Sequence, residues 1–509
     1  MTQRHLIWIG WFVVLLIALG LRLQHLESRP IHADEATGAR ILAQRLEGNG
    51  YSFDPTHYHG PILSLSTTLI ANCRNEGNWS ELSPLTLRLG PALAGLLVVL
   101  TPLLWIPQFG ARSALAAGAL LATSPLLVYY NRMHIHESWL MLFGMLSLTA
   151  IYRLARKPGW GTACWAGLCI GLMFATKETF VISTLSWALA VAVYLFNRRM
   201  DWTAHGPLPQ IRTYSSAALL LIISTIVTAA YFYSEGFRNW QGFADALRTY
   251  FVYETTAGHE KPLFYYLHFL LWPKNELGMW WTEVIVALLA LEACLHSIFK
   301  RTNVGTISFL TVATLGHFVI YSLIGYKTPW LMLLPWAHCC LLAGSVFSAF
   351  DKLRPVLRLA LTLLLIGGIT FQTQQSLRAN GRIANDARNP YAYVPTSRDP
   401  QKLATWLQQL QTLDHRANVD PIAVIGKDYW PLPWYLRTFE SVGYWPQVPA
   451  TLSNYPIVLA MPASVDECDD QLHASHTKLP RTLRANVTIT LYISNELWTQ
   501  WSETPVDHE

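Results

Sequence analysis

LIWIGWFVVLLIALGLRLQHLESRPIHADEA, residues 6–36, sets an apolar run directly against an acidic pair. Residues 6–24 are long and apolar enough to cross the roughly 30 Å hydrocarbon core of a bilayer as one helix. The run has no A-x-A-like cleavage site and continues straight into ALGLRLQHLE, so it is read as a retained first span. Asp34 and Glu35 follow just outside it, past Pro30. Ionisable groups at a membrane edge are costly, which makes this pair a functional question.

The same signal recurs along the chain. Of 509 residues, 52% are hydrophobic and only 14% charged, too apolar for an ordinary soluble enzyme. Spans are predicted near 6–24, 85–106, 112–130, 138–155, 160–176, 179–196, 215–234, 279–299, 304–324, 330–350 and 355–371. Trp8, Trp105, Trp139, Trp160, Trp280 and Trp330 fall near their ends, where amphipathic rings favour the headgroup layer. Cys164, Cys169, Cys294, Cys339 and Cys340 lie inside spans and no CxxC occurs, which argues against a metal cluster or a disulfide framework. Cys73 and Cys468 fall outside the spans and are the two that could pair.

Charge fixes the expected orientation. With the N-terminus inside, the inner segments hold Arg4; Arg112; Arg153, Arg156 and Lys157; Arg198, Arg199 and Arg212; Lys300 and Arg301; and Lys352, Arg354 and Arg358, opposed only by Asp201 and Asp351. This is the positive-inside pattern, and it accounts for the net charge of +5 without nucleic acid. An odd number of spans then puts the C-terminal part outside. The expected protein is a multi-pass protein of the cytoplasmic membrane with its N-terminus in the cytoplasm.

Two surface helices are predicted in the first outer loop, one following the acidic pair with Ala39, Leu42, Ala43 and Leu46 on one face, the other following Gly60-Pro61. The loop 235–278, broken by Gly258, Pro262 and Pro273, is read as re-entrant or surface helices. In the tail, a helix at 400–413 is followed by strands at 421–426, 455–461 and 484–494, which suggests a small α/β domain. The fold class is therefore an α-helical polytopic membrane protein of about 11 transmembrane helices with outer-loop surface helices and a small C-terminal α/β domain. Residues 1–375 form the transmembrane domain with outer loops 25–84 and 235–278, and residues 376–509 the extracytoplasmic domain.

The chemically suggestive residues collect on the outer side. Asp34 and Glu35 could serve only to favour a helix N-terminus, and Glu137 likewise opens a span. Single cations at span ends usually snorkel to headgroups. Arg132, Lys177 and Lys327, however, each stand on a short outer turn against the positive-inside bias, with His57, His59, His134 and His136 on the same face. The HxH pairs at 57–59 and 134–136 do not put both rings on one helix face, and HExxH is absent, so no metal ligands are assigned. A carboxylate beside several cations at headgroup height suits a reaction whose leaving group is a lipid phosphate: the carboxylate accepts a proton from an attacking hydroxyl, and the cations balance the departing charge.

HADEA at 32–36, YHGP at 58–61, NRMHIHE at 131–137, ATKET at 175–179, GHEKPLFYY at 258–266, YKTPWL at 326–331 and YWPLPWYLR at 429–437 resemble the GT-C class of polyprenyl-phosphate-sugar glycosyltransferases. The likeness is to the protein mannosyltransferase and aminoarabinose transferase branch, and within it to the family named for a flippase-activity-associated membrane protein of archaea and bacteria. The resemblance implies transfer of a sugar from a polyprenyl-phosphate donor to a glycan, lipid or protein acceptor on the outer face of the membrane. It implies Asp34 as the catalytic base with Glu35 beside it, and Glu137, with His134 and His136, as the second acidic motif. Lys177, Arg132 and Lys327 are the expected donor-phosphate contacts, and Tyr58, His59, Glu178, His259 and Lys261 are expected to bind substrate. No cofactor is required by the resemblance; HIHE replaces the DxD-like motif of metal-using members and leaves a divalent ion open. The competing reading is a flippase for lipid-linked sugars, or an accessory to one, whose cations hold phosphate without bond cleavage.

Overall fold

The computed structural model describes residues 2–48, 53–200, 211–253, 258–300, 304–413 and 421–503; Asp201 and Arg301 of the inner segments lie outside them. Helix α1 (Gln3–Leu23) shows how the sequence makes a span. Trp11, Val14, Ala18 and Leu21 share one buried stripe, while Leu6, Trp8, Ile9 and Phe12 remain exposed. That exposed apolar face would be a liability in water and is matched by lipid.

Every predicted span meets helix. Among the described residues, eight helices are long and apolar enough to cross a membrane, or up to nine if the bent pair Ala111–Thr123 and Pro125–Asn131 is one span. Helices Trp160–Phe174 and Val284–Phe299 are shorter. The chain is a multi-pass membrane protein.

Two predicted boundaries need correction. The last span, expected at 355–371, continues as helix to Ala379, past the boundary expected at 375. The span expected at 279–299 starts at Val284, because residues 274–281 form a hairpin of β1 (Lys274–Glu276) and β2 (Met279–Trp281). Leu277 and Gly278 form its two-residue turn, with φ of 54° and 75°. Two successive positive φ angles match the twist of a tight hairpin, and Leu is an unusual residue to supply one of them.

The bent pair is braced by buried charge. At the break, Pro125 has no N–H to give and the preceding carbonyls lose their helical donors. Arg22 of α1 donates to the carbonyls of Ala122 at 2.8 Å and Leu121 at 2.9 Å, and Ser376 Oγ to that of Thr123 at 2.7 Å. Across the break, Glu283 accepts from Leu126 N at 2.9 Å, Ser124 Oγ at 2.6 Å and Trp336 Nε1 at 2.6 Å.

The helices also sort the loops. Glu137–Arg156, 20 residues and so roughly 30 Å long, begins beside Lys177. It ends where Arg153 donates to the Leu104 carbonyl and Arg198 to that of Arg156. Most of the acidic and histidine residues singled out above therefore lie at the end away from those basic turns.

In the first loop, α2 (Ala33–Leu46) and α3 (Ile62–Cys73) form as expected. The buried face of α2, Ala36, Ala39, Leu42 and Ala43, packs with Ala71 of α3 and with Trp434 and Tyr435 of the tail. The 235–278 loop holds the helices Trp240–Val252 and Tyr265–Leu271. The tail carries a five-stranded sheet of β3 (Ile422–Ile425), β4 (Val442–Trp445), β5 (Ile457–Ala460), β6 (His476–Arg484) and β7 (Val487–Ser494), in the order β4-β3-β5-β7-β6. β3 runs parallel to both neighbours, and β7 antiparallel to β5 and β6. β3 and β5 are buried on both faces, which explains the unbroken apolar runs IAVI and IVLA. β4, β6 and the helices Val465–Leu472 and Asn495–Glu503 carry weaker signals and were not predicted. Cys73 and Cys468 are free thiols, the first exposed and the second buried.

Candidate active site

The acidic pair divides its work. His32, in extended conformation, caps α2: its ring accepts from Asp34 N at 3.2 Å, and its own N–H donates to Glu35 at 3.0 Å. Glu35 is fully buried. It also takes two bonds of 2.8 Å from Arg88, on helix α4 (Pro84–Leu100), and one of 3.0 Å from the His134 backbone N–H. Burial works to raise this carboxyl, and Arg88 outweighs it and holds the group well below the usual carboxylate range. Arg88 also donates to the carbonyls of Leu26, Arg29 and Pro30, so the pair fastens the chain on both sides of His32. Glu35 has no oxygen left for a substrate. Asp34, one residue away on a different face, keeps a half-exposed side chain.

A second cluster forms where the 131–137 and 175–179 segments meet the first loop. Lys177 Nζ lies 2.6 Å from Glu137, and both are buried. His59 Nδ1 lies 2.9 Å from Glu178, stacks on Tyr253 at 5.7 Å and meets His136 edge-on at 5.0 Å. Burial works to raise the Glu178 carboxyl, but the His59 ring and the Lys177 ammonium set it at about 2.

The close approach depends on Gly60. Its N–H donates to the Thr176 carbonyl at 3.1 Å, and a Cβ there would stand 2.2 Å from the Ala175 oxygen. The atom it would meet is backbone, so the two segments would have to separate. Gly60→Ala is expected to cost about 1–3 kcal/mol by overpacking and to pull His59 off Glu178; a thermal melt of the detergent-solubilised variant checks it.

Glu178 carries a pH prediction. Because its folded-state carboxyl is depressed, the stability it contributes is complete above the ordinary value of 4.5 and is lost as pH falls towards about 2. Glu178→Gln should therefore lower the melting temperature near neutral pH, and the gap from wild type should close as pH drops through that window.

Asp34 and the Lys177 cluster share neighbours. Burial pushes the Tyr326 hydroxyl up to about 12, with Lys177 opposing and Asp34 and Glu137 adding to the rise. The Tyr253 hydroxyl, also raised by burial, feels Glu178, Lys177 and Asp34. On the Asp34 side, His259 Nδ1 lies 2.7 Å from the Tyr393 hydroxyl and its ring 5.1 Å from that of Tyr326. Burial lowers His259, with Asp34 opposing, and this favours a neutral ring. The segments 258–261 and 325–327 pair as a short ribbon, with a bridge from Glu260 to Tyr326 and a bond from Lys327 N to the His259 carbonyl. Tyr253 and Tyr326 thus lie within electrostatic reach of both Asp34 and Lys177.

Other expected residues stand elsewhere. The guanidinium of Arg132 closes the end of α1, donating to the carbonyls of Leu21, Gln24 and His25, so it is occupied away from Asp34. Lys327 donates to the carbonyls of Lys261 and Ile324. His134 is wedged between α2 and α3, its Nε2 3.1 Å from Thr67 Oγ1; burial lowers it to about 4. Tyr58 is partly buried, with Asp54 and Arg40 as its charged neighbours. Lys261, next to His259 and partly exposed, has no hydrogen bond or ion pair on its ammonium among the described residues.

A divalent ion does not fit this donor set. Glu35 is neutralised by Arg88, Glu137 by Lys177, and His134 is turned to Thr67. Among the described residues, no group of three or more His, Cys, Asp or Glu side chains could hold a metal.

Structural comparison shows the fold. ArnT from Cupriavidus metallidurans in the apo state aligns over 95% of this chain and 98% of its own, with TM-score 0.63 and 15% identity. The fold is that of the GT-C glycosyltransferases. The same ArnT bound to undecaprenyl phosphate aligns with TM-score 0.59 at 15% identity, over 96% of this chain and 99% of its own. The oligosaccharyltransferase AglB from Archaeoglobus fulgidus, in complex with an inhibitory peptide and a dolichol-phosphate, aligns over 99% of this chain and 79% of its own, with TM-score 0.53 and 14% identity. Residues 62–231 match the family model described as dolichyl-phosphate-mannose-protein mannosyltransferase. No curated protein matches by sequence. None of these GT-C likenesses bears the flippase-associated name.

Several residues around the candidate site were not singled out in the sequence. Arg88 had a signal, an arginine inside an apolar span, which by default marks a buried partner. Tyr326 opens the YKTPWL stretch but was not singled out, and Tyr253 and Tyr393 had no signal, since aromatic residues abound near span ends throughout the chain.

Proposed function

We propose that the protein is a membrane glycosyltransferase that moves a sugar from a polyprenyl-phosphate donor to an acceptor on the outer face of the cytoplasmic membrane, with its N-terminus in the cytoplasm. The carrying observation is a half-exposed carboxylate, Asp34, that shares the neighbours Tyr253 and Tyr326 with the buried Lys177–Glu137 ion pair. The acceptor hydroxyl attacks the anomeric carbon and passes its proton to Asp34. The bond from that carbon to the phosphate oxygen breaks, and the lipid phosphate leaves with the bonding electrons. Lys177, with donor capacity beyond its bond to Glu137, and Lys261, whose ammonium has no partner among the described residues, receive the departing charge. Glu35 is a positioning residue that fixes the first turn of α2 through Arg88 and His134.

The isoprenoid tail has a place. An open apolar groove of about 610 Å³ starts at Leu263 and Phe264, two residues past Lys261, and runs between Leu291, Leu315 and Phe318. A phosphate at Lys261 leaves the tail at its mouth.

The test is to incubate purified protein in lipid with a panel of radiolabelled polyprenyl-phosphate sugars and membrane extract. Label should pass from lipid to an acceptor. Label that crosses the bilayer still attached to lipid would support transport instead.

A further inference from the structure

The sheet end of the tail carries a cleft of about 590 Å³ that the reaction above does not use. Three tryptophans line it. Trp406 on the helix Asp399–Leu413 meets Trp501 edge-on at 5.2 Å, and Trp498 lies 5.4 Å from Trp501, both on Asn495–Glu503. Lys402 and Arg481 stand on the rim, and Thr488 of β7 forms part of the wall. The Trp406 indole N–H is shielded from solvent and has no acceptor in the protein among the described residues.

A lipid or protein face would ask for a broad apolar patch. Here the apolar surface is confined to aromatic rings inside a cleft of ligand size, with hydrogen-bonding and charged groups around it. Aromatic faces carry partial negative charge and attract the C–H-bearing face of a pyranose, while the rim takes the hydroxyls.

We infer that this cleft binds a hexose-based oligosaccharide, the non-reacting part of a glycan acceptor. The acceptor role rests on the transferase reading; the binding does not. Helix Asp399–Leu413 joins the two places, since Lys402 and Trp406 face the cleft while Ala404 packs in the cluster that holds α2.

The full chain, fluorescently labelled and held in lipid nanodiscs, is applied to an array of linear hexose di- to hexasaccharides, and the strongest binder is then titrated. Trp501→Ala should weaken binding by about tenfold, the scale of a lost aromatic stack with its hydrogen-bonding surroundings. Thr488→Trp fills the cleft from an exposed wall position and should abolish binding while the melting temperature stays unchanged. Asp34→Asn should bind as wild type does while losing transfer, so the cleft and the reaction are read separately. Absence of any bound glycan, or equal binding by wild type and Thr488→Trp, overturns the inference. So does a change of oligomeric state in Thr488→Trp without glycan binding, which would give the cleft to a second copy of the chain.

Discussion

Asp34→Asn is expected to lower sugar transfer by about 10²–10⁴-fold, the usual contribution of a positioned general base. The effect should appear in turnover more than in donor affinity, because the amide keeps the shape of the carboxylate and loses only its ability to take the proton. Stability should hold. The Asp34 side chain is half exposed, and the bond that its residue gives to α2 comes from its backbone N–H to His32. Comparing radiolabel transfer by wild type and variant at matched folded protein checks this. Full activity in the variant would remove Asp34 from the chemistry and, with it, the transferase reading of this site. A flippase using the same cations would tolerate the neutral isostere.

Arg88→Ala should be the most destabilising single change at the site, about 3–5 kcal/mol, because it leaves a buried carboxylate without its cation. Glu35 would keep only the N–H groups of His32 and His134, and the carbonyls of Leu26, Arg29 and Pro30 would lose their donor. Removing both charges together, as Glu35→Gln with Arg88→Met, should recover part of that loss, since no buried ion then remains unpaired. Thermal melts of the three proteins in one detergent measure it. A single variant as stable as wild type would mean that α2 is held by its apolar face alone.

The spans and their order were legible because a bilayer admits little else: a long apolar run must be a helix. The first-loop helices were legible from Ala39, Leu42, Ala43 and Leu46 and from Gly60-Pro61. The hairpin at 274–281 was not, because Leu277 adopts a conformation that its residue type does not announce. At the site, residue types alone could name Asp34, Glu137 and Lys177 but not their partners. Arg132 and Lys327 looked equal to Lys177 in sequence. What separates them is which carbonyls the folded backbone leaves in reach, and that depends on contacts between residues 111 and 66 positions apart. The tail was read least well, since β4 and β6 are edge strands with mixed exposure and little periodic contrast.

Tyr435 gives its hydroxyl oxygen to the Ile31 N–H at 2.9 Å, three residues before Asp34, and the backbone carbonyl of Tyr393 meets the His32 ring at 3.1 Å. The tail therefore holds the turn that leads into the helix carrying Asp34. A chain built this way, trimmed to its membrane half, would lose these contacts to the start of α2. Anything that displaces the tail pulls on the turn before Asp34 through the same few bonds.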